Sequence, residues 1–144
     1  MVVDIAAAAP ADLPTILSLL ERSKLPQAGL ERFVATTLVA REGERLVGCA
    51  ALELYGSAAL LRSVAVEVSS RGLGLGQQLT RAALDLAKSR GIRTVYLLTE
   101  TAERFFSKMG FRAIARNAVA PAVRQSEELT TACPESAIAM VTEL

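Results

Sequence analysis

The centre of the chain consists of extended runs joined by short turns, and this feature constrains the fold most. Thr37 to Arg41 and Arg45 to Tyr55 are extended, and the Glu42-Gly43-Glu44 sequence between them is typical of a hairpin turn. Gly56-Ser57 then turns the chain into Ala59 to Val66, a mostly apolar run that we expect to be buried on both faces. The sequence therefore predicts an antiparallel meander of strands in the middle of the molecule.

Helical patterns flank this meander on both sides. Asp12 stands where a helix N-cap is expected, and Pro14 suits the first turn of the amphipathic segment that follows. After the meander, apolar residues recur at helical spacing from Leu75 to Leu86, and Gly91 is a suitable stop. The other predicted elements are strands over Val2 to Ala6, Thr94 to Leu98, Phe111 to Ala115 and Ser136 to Thr142, a helix capped by Thr101 that runs through Met109, and a polar loop over Asn117 to Glu135 with one helical turn near Ala122.

The order of these elements is β-α-β-β-β-α-β-α-β-β, which is not the regular alternation of a doubly wound parallel sheet. We expect an α+β fold with a mixed central sheet of about seven strands. The chain has 144 residues, of which 51% are hydrophobic, and this suffices for one hydrophobic core. Residues 1–144 are therefore predicted to form a single domain.

Charge and composition exclude several classes of function. The formal net charge is +1, which argues against a strongly basic nucleic-acid-binding protein. The chain contains no histidine, and this removes Ser-His-Asp and Cys-His catalysis and the usual zinc sites. No apolar run has the length of a membrane span, and Val2 to Ala9 lacks the features of a signal peptide. We expect no nucleic-acid partner, no membrane association and no metal.

The two cysteines, Cys49 and Cys133, are too few for a disulfide scaffold and lack the spacing of metal ligands. They are interpreted as reduced thiols in a cytoplasmic protein. The charge is unevenly distributed, because residues 71–116 contain nine basic and three acidic residues, giving +6 against −5 for the rest. Solvated helix faces account for most of these residues, but a compact polyanionic ligand would also need such a segment.

A glycine-rich turn lies inside this basic segment, between the last run of the meander and the helix that follows. Its sequence is Arg71-Gly72-Leu73-Gly74-Leu75-Gly76, and such a turn can direct several backbone N–H groups toward a phosphate. It lacks the Gly-Lys-Ser/Thr ending of a P-loop. It also differs from the G-x-G-x-x-G fingerprint of dinucleotide-binding proteins, because Gln77 stands where that pattern has its third glycine. A flexible turn without a ligand is the remaining alternative.

Arg71-x-x-Gly74-x-Gly76 matches the Q/R-x-x-G-x-G/A pyrophosphate loop of the GNAT family of N-acetyltransferases. Ser63 to Val66 resembles the family's fourth strand, and Ala102 to Phe111 (AERFFSKMGF) resembles its A-x-x-[FL]-[YF]-x-x-x-G-F segment. The chain therefore resembles this family over nearly its whole length, which implies a GNAT fold with helices on both faces of the sheet and acetyl-CoA as the acyl donor. The strings LLRSVAV, YLLTETAERFF and Cys133-Pro134 are most similar to arsenic-resistance-associated acetyltransferases and to the acetyltransferase domain of N-acetylglutamate synthase.

The resemblance implies a set of residues that bind acetyl-CoA. The backbone of the fourth strand pairs with the pantetheine arm in this family, and the glycine loop binds the pyrophosphate. Thr99 ends the strand that diverges from the fourth strand, and Phe106 occupies the position near the thiol. The implied residues are Val64, Ala65, Val66, Arg71, Gly72, Leu73, Gly74, Leu75, Gly76, Gln77, Thr99 and Phe106.

The chain departs from the family at the reacting end of the donor. Many members carry a tyrosine at the position of Phe106 to protonate the leaving thiolate, and a phenyl ring cannot donate a proton. Many also carry a glutamate at the start of the fourth strand, and Ala59 to Leu61 contains none. Glu53 and Tyr55 are the nearest replacements, followed by Glu100, with ordinary packing or surface roles as the alternative. Proximity of an aligned amine can supply much of the rate without them.

Arg62 is costly to bury in a run as apolar as LLRSVAV unless an anion meets it. One interpretation is that Arg62, helped by Arg124, binds the carboxylate of an amino-acid-like acceptor; the other is an internal ion pair with Glu53. We predict an N-acetyltransferase for a small-molecule amine, an amino acid or a toxic, arsenic-containing analogue. The alternatives are a non-catalytic acyl-CoA-binding module and a protein N-acetyltransferase. The apolar content permits a homodimer.

Overall fold

The computed structural model describes residues 3–132 and 136–144, and within these ranges it has one seven-stranded sheet and three α-helices. The elements in chain order are β1 (Val3–Ala7), α1 (Leu13–Arg22), β2 (Thr37–Glu42), β3 (Arg45–Tyr55), β4 (Ala58–Val66), α2 (Leu75–Ser89), β5 (Thr94–Thr99), α3 (Glu103–Lys108), β6 (Arg112–Ile114) and β7 (Ile138–Glu143). Short helical turns cover Pro10–Asp12, Leu30–Thr36, Val68–Ser70, Arg116–Ala118, Val123–Gln125 and Glu128–Ala132.

The strands lie in the order β1-β2-β3-β4-β5-β7-β6. The first four form the predicted antiparallel meander, β4 and β5 are parallel, and β7 is antiparallel to both β5 and β6. The mixed sheet and the α+β class are thus confirmed. Because β4 and β5 are parallel, they are joined by a crossover connection that passes over one face of the sheet, and this connection contains α2.

The β4–β5 pair is open at one end. Its ladder runs from Ala58–Thr94 to Leu60–Tyr96 and stops there, although β4 continues to Val66 and β5 to Thr99. A β-bulge lies in the open part of β4: between the pairs Cys49–Ala65 and Ala51–Arg62, β3 has one residue whereas β4 has Ser63 and Val64. Ser63, in the bulge, has a φ of 60°, a left-handed conformation that is uncommon for residues other than glycine. The bulge bends β4 away from β5 and opens a gap in the sheet.

Helices cover both faces of the sheet. On one face Leu79, Ala83 and Ala87 of α2 pack with Leu52 and with Phe106 of α3. On the other face the buried residues of α1 pack against Cys49 and Ala51. The approach of α2 to the sheet depends on Gly48, since a Cβ there would lie 2.8 Å from Leu79 Cδ1. These contacts fix α2 directly beside the gap between β4 and β5.

The observed elements differ from the predicted ones mainly at their ends. The helix predicted from Thr101 through Met109 is shorter and covers Glu103–Lys108. Its start is shifted because Thr99 Oγ1, not Thr101, accepts a hydrogen bond from the Ala102 N–H group, at 3.0 Å. The segment predicted as a loop with one turn near Ala122 instead contains the three short helical turns between Arg116 and Ala132.

Asp12 is the N-cap residue of α1 as predicted, but its carboxylate does not bond to that helix. It accepts a hydrogen bond from the Ala9 N–H group at 2.8 Å and pairs with Arg41 at 2.6 Å. These partners hold the pKa of Asp12 below its ordinary value. Val2 of the first predicted strand, Cys133, Pro134 and Glu135 lie outside the described residues. None of the helices in the described ranges is long and apolar enough to cross a membrane.

Candidate active site

A cavity of about 950 Å³ passes through the gap between β4 and β5. On the face covered by α2 it is lined by the glycine-rich turn, Phe105 and Phe106. On the face covered by α1 it is lined by residues 23–26, Arg62 and Glu128. Since the cavity reaches both faces of the sheet, two ligands can enter from opposite sides and meet at β4.

The glycine-rich turn has the geometry of a phosphate cradle. Gly72 and Gly74 have φ angles of 83° and 77°, and a Cβ at either position would meet no atom within 4 Å, so the space beside the turn is open. Gly74 is the N-cap residue of α2, and the first N–H groups of a helix have no partner within it. The side chain of Arg71 donates to the Val66 carbonyl oxygen at 3.0 Å and ties the turn to β4. Open space beside the first N–H groups of a helix is the kind of environment that can bind an anion such as a phosphate.

The structure brings together nearly all of the predicted donor-binding residues. Val64, Ala65 and Val66 lie on the open part of β4, and their strand has no β5 partner beyond Leu60. Thr99 faces them across the gap at the end of β5. Leu73 is the exception, because its side chain is 65% exposed and does not line the cavity. The lining includes Val64, Ala65, Val66, Arg71, Gly72, Gly74, Leu75, Gly76, Gln77, Thr99 and Phe106.

Phe106 is buried at the wall of the cavity, with 7% of its surface exposed. Its ring makes edge-to-face contacts with Phe105 and Phe111, with centroid distances of 5.0 and 5.8 Å. This packing gives the ring a structural role and fixes its orientation. A proton donor is absent at this position, as the sequence indicates.

Arg62 belongs to an internal network at the wall of the cavity, and its side chain is 0% exposed. Its Nη1 is 2.8 Å from Glu53 Oε2, and its Nε is 3.3 Å from Glu128 Oε2. The internal ion pair with Glu53 is therefore the interpretation that the structure supports. Nε also donates to Ser63 Oγ at 3.1 Å, Nη1 donates to the Ala28 carbonyl oxygen at 2.8 Å, and Nη2 donates to the Pro26 carbonyl oxygen at 3.2 Å.

These bonds argue against the direct contact predicted between Arg62 and an acceptor carboxylate, because protein atoms already accept hydrogen bonds from Nε, Nη1 and Nη2. Arg124, the predicted second arginine, is not brought to the cavity. It donates to the carbonyl oxygens of Val119, at 2.9 Å, and of Asn117, within its own loop. The two arginines therefore do not form a clamp in this structure.

Glu53 and Tyr55 also lie outside the cavity lining. Glu53 is 1% exposed, and it accepts a hydrogen bond from the Tyr55 hydroxyl at 2.5 Å in addition to its pair with Arg62. Burial of Tyr55, together with its hydrogen bond to the Glu53 carboxylate, raises the pKa of Tyr55 to about 12. The catalytic roles of Glu53 and Tyr55 stay predictions. Their hydrogen bonds argue against these roles, because both side chains belong to an internal network.

Glu128 is the residue that the sequence analysis missed. It is 3% exposed, lines the cavity and pairs with Arg62. Its segment was predicted to be a polar loop, and no local pattern marks a glutamate that folds back onto a distant strand. The signal that could have indicated it is indirect, because Arg62 requires buried anions and one glutamate does not account for all five of its donors.

The described residues include one cysteine, Cys49. Cys49 is buried, its Sγ lies 3.1 Å from the Ser63 carbonyl oxygen, and burial raises its pKa to about 12, so it is an unreactive thiol. Cys133 lies outside the described residues. Within residues 3–132 and 136–144, no three His, Cys, Asp or Glu side chains come together in a group that could hold a metal ion.

A bulged strand that separates from its parallel neighbour, with a glycine cradle at the following helix, is the arrangement that the sequence resemblance implies for an acyl-CoA-binding transferase. Comparison with models of known protein families identifies the family to which the chain belongs. The family model described as "Acetyltransferase (GNAT) domain" matches residues 34–113, more than half of the chain. The chain therefore belongs to the GNAT family of acetyltransferases. A comparison with curated proteins found no match.

Solved structures share this fold. N-acetylglutamate synthase from Neisseria gonorrhoeae, complexed with coenzyme A and N-acetyl-glutamate, superposes with a TM-score of 0.85 at 22% identity, over 100% of this chain and 35% of that one. A Mycobacterium tuberculosis protein complexed with CoA and a second ligand gives 0.82 at 23%, over 98% and 99% of the chains. PaiA N-acetyltransferase from Thermoplasma acidophilum, complexed with coenzyme A, gives 0.75 at 16%, over 100% of both chains. The chain thus spans about a third of the Neisseria enzyme.

Proposed function

We propose that this chain is an acetyl-CoA-dependent N-acetyltransferase whose acceptor is a small, amino-acid-like amine. The observation that carries the proposal is the cavity that crosses the sheet between β4 and β5. Its α2 side has the glycine cradle, which suits the pyrophosphate of the donor, and its α1 side has buried charged groups, which suit a small polar acceptor. The two substrates would meet beside the bulge of β4.

The residues of the donor side support this assignment through their backbone. From Leu61 to Val66, the edge of β4 that faces the gap has no β5 partner. The N–H and C=O groups along this edge can therefore pair with the amides of a pantetheine arm. The N–H groups at the start of α2 and the nearby Arg71 suit the phosphates. Acetyl-CoA supplies an activated thioester, and the protein's contribution is to align an amine with it and to exclude water.

The acceptor class is supported by the charges on the other side. Arg62 and Glu128 line the cavity there, so its surface suits a ligand that carries charges of its own rather than an apolar amine. The Neisseria gonorrhoeae enzyme that shares this fold was crystallised with N-acetyl-glutamate and with L-arginine. An arsenic-containing amino acid is a member of the same chemical class, and the sequence resemblance favours including it.

The test is thiol release from acetyl-CoA in the presence of a panel of amines. The panel contains the twenty amino acids, their decarboxylated amines, an arsenic-containing amino-acid analogue and a basic peptide. We expect one or more amino acids to give at least tenfold higher kcat/KM than the matching decarboxylated amine. CoA binding without turnover of any amine would favour the non-catalytic binding module, and turnover of the peptide alone would favour a protein N-acetyltransferase.

We also propose a cytoplasmic location and a homodimer. The location is supported by Cys49, a buried thiol without a disulfide partner among the described residues. The homodimer is supported only by the apolar composition of the chain. Light scattering of the purified protein tests the oligomeric state, and fractionation of cells that express it tests the location.

A further inference from the structure

Three of the described residues that line the cavity carry a positive charge: Lys24, Arg62 and Arg71. Arg62 is buried, and its guanidinium already donates hydrogen bonds to protein atoms. Arg71 donates to the Val66 carbonyl oxygen beside the glycine cradle, on the donor side of the cavity. Lys24 lies on the opposite side, in the segment 23–26 that follows α1. It is therefore the cation that a ligand entering from the α1 face would meet.

The ammonium group of Lys24 is available to such a ligand. Lys24 is exposed, and within residues 3–132 and 136–144 it has no carboxylate partner. The nearby Arg22, at the end of α1, differs in this respect because it pairs with Glu67. A lysine ammonium group has three N–H donors and no acceptor, so an anion is the kind of ligand that it suits.

The backbone at Lys24 is strained. Its φ is 58°, in the left-handed region that is uncommon for residues other than glycine. Lys24 follows Ser23, the C-cap residue of α1. The N–H groups of Lys24 and Leu25 donate to the carbonyl oxygens of Glu21 and Leu20, at 3.1 and 2.9 Å. These bonds form a Schellman motif, in which glycine usually stands at the position of Lys24. Strain of this kind clusters at sites where a side chain has a function.

The segment that carries Lys24 is fixed to the rest of the protein on both sides of this residue. The Schellman motif ties it to α1 on one side. On the other side, Leu25 packs against the apolar cluster between α1 and the sheet. The carbonyl oxygens of Pro26 and Ala28 accept hydrogen bonds from Arg62, at 3.2 and 2.8 Å. The buried arginine therefore holds the backbone that places Lys24 at the cavity wall.

We propose that the ammonium group of Lys24 binds the α-carboxylate of the acceptor. The inference deepens the proposed function and rests on it, because it assigns the residue that would make an amino acid a better acceptor than an amine without a carboxylate. The carboxylate lies beside Lys24 on the α1 side, and the amine points toward the bulge of β4. Arg62 acts as a positioning residue, since it holds this segment without touching the acceptor. Lys24 thus takes the role that was predicted for Arg62 and Arg124.

The experiment compares Lys24→Met with the wild-type protein, because methionine keeps most of the side-chain length and removes the charge. The acceptors are the amino acid with the highest kcat/KM in the panel and its α-carboxamide, which has nearly the same size and no negative charge. We expect KM for the amino acid to rise about tenfold, since a hydrogen bond between two charged groups is lost. KM for the carboxamide and KM for acetyl-CoA should each change less than about twofold.

A binding measurement tests the same contact without turnover. Calorimetric titration of the amino acid into CoA-saturated protein should show about tenfold weaker binding to Lys24→Met, with CoA affinity within about twofold of wild type. Lys24→Arg keeps the positive charge and should recover most of the affinity. The matched control is Lys88→Met, which should stay within about twofold of wild type. Lys88 is exposed in the last turn of α2 and does not line the cavity.

Lys24→Gly tests the strain and the charge in one protein. Glycine adopts a φ of 58° without a steric penalty, so the urea midpoint of unfolding should rise. The variant also lacks the ammonium group, so it should bind the amino acid as weakly as Lys24→Met does. A more stable protein that has lost acceptor binding would support a strained lysine that serves the ligand. Full binding of the amino acid to Lys24→Gly would overturn the proposal.

The outcomes separate this inference from the proposed function. A wild-type preference for the amino acid over its carboxamide that Lys24→Met retains would overturn the role of Lys24 alone. An equal loss with both acceptors would also overturn it, because that pattern indicates a damaged site and not a lost ion pair. The absence of wild-type turnover with every amine would overturn the proposed function and this inference together.

Discussion

Arg62 Nη1 lies 2.8 Å from Glu53 Oε2 across neighbouring strands, and the two side chains are 0% and 1% exposed. The pair connects β3 to the acceptor side of the cavity, because the same guanidinium reaches Glu128 through its Nε. A buried ion pair of this kind contributes little over an apolar pair of the same shape, but losing one member leaves an uncompensated charge. This asymmetry gives the first prediction.

Arg62→Met should destabilise the protein by about 3–5 kcal/mol, because it leaves the buried carboxylate of Glu53 without its ion-pair partner. Urea unfolding followed by circular dichroism measures the change. The control is Arg32→Met, which breaks an exposed pair with Glu127 and should cost about 0–1 kcal/mol. Equal effects of the two substitutions would show that the buried network does not stabilise the fold.

Gly74→Ala should weaken CoA binding at least tenfold while the protein still folds. Gly74 has a φ of 77°, so alanine there strains the backbone by about 1–2 kcal/mol, and its Cβ would project into the open space of the cradle. Gly56→Ala is a matched control, because Gly56 has a φ of 68°, is equally open, and lies in the β3–β4 turn away from the cavity. Calorimetry should find CoA affinity unchanged in this control; unchanged affinity in Gly74→Ala as well would remove the cradle assignment.

Phe106→Tyr should fold and should keep or raise turnover by up to about tenfold, because the new hydroxyl can point into the cavity and protonate the leaving thiolate. Steady-state kcat with a saturating acceptor measures the effect. Phe111→Tyr is the control: Phe111 is 3% exposed and does not line the cavity, so its hydroxyl would be buried and should lower stability without raising kcat. A large loss of turnover in a folded Phe106→Tyr protein would show that the phenyl ring shapes the reacting end of the cavity.

Stability should fall as the pH rises above 9, and Cys49 should account for part of the decrease. Burial raises the pKa of Cys49 from 9.0 to about 12, so the unfolded chain loses this proton first and the folded state is progressively disfavoured. Between pH 9 and 12 the loss approaches about 1.4 kcal/mol per pH unit. Below pH 9 the thiol is protonated in both states and makes no pH-dependent contribution.

Urea midpoints of the wild type and of Cys49→Ala between pH 7 and 10.5 check this prediction. The substitution should lower stability by a constant amount at neutral pH and should flatten the alkaline slope. Parallel curves over the whole range would contradict the burial of this thiol. Tyr55→Phe should flatten the slope only above pH 10, because the pKa of Tyr55 is raised from 10.0 to about 12.

Local chemistry determined most of the fold. The bounds of β3, Arg45–Tyr55, agree with the prediction because the turns on each side consist of residues that adopt hairpin conformations on their own. The glycine cradle was also predictable, because its conformation depends on alternating glycines that lie within a few residues of one another, between an apolar strand and an amphipathic helix. The position of the glycine turn between β4 and α2 could therefore be predicted from the sequence, and its role in binding the donor stays a prediction.

The acceptor half depended on contacts between distant parts of the chain. Nothing local in LLRSVAV indicates that Ser63 takes a φ of 60°, because the bulge arises from the pairing of β4 with β3. Nor could the sequence place Arg124 outside the cavity and Glu128 inside it, since both lie in one polar segment. The sequence by itself determined which residues form strands, helices and the cradle, through propensities and turn chemistry. Only the tertiary structure decided which carboxylates surround Arg62, because the partners of a buried charge are fixed by how remote segments pack around it.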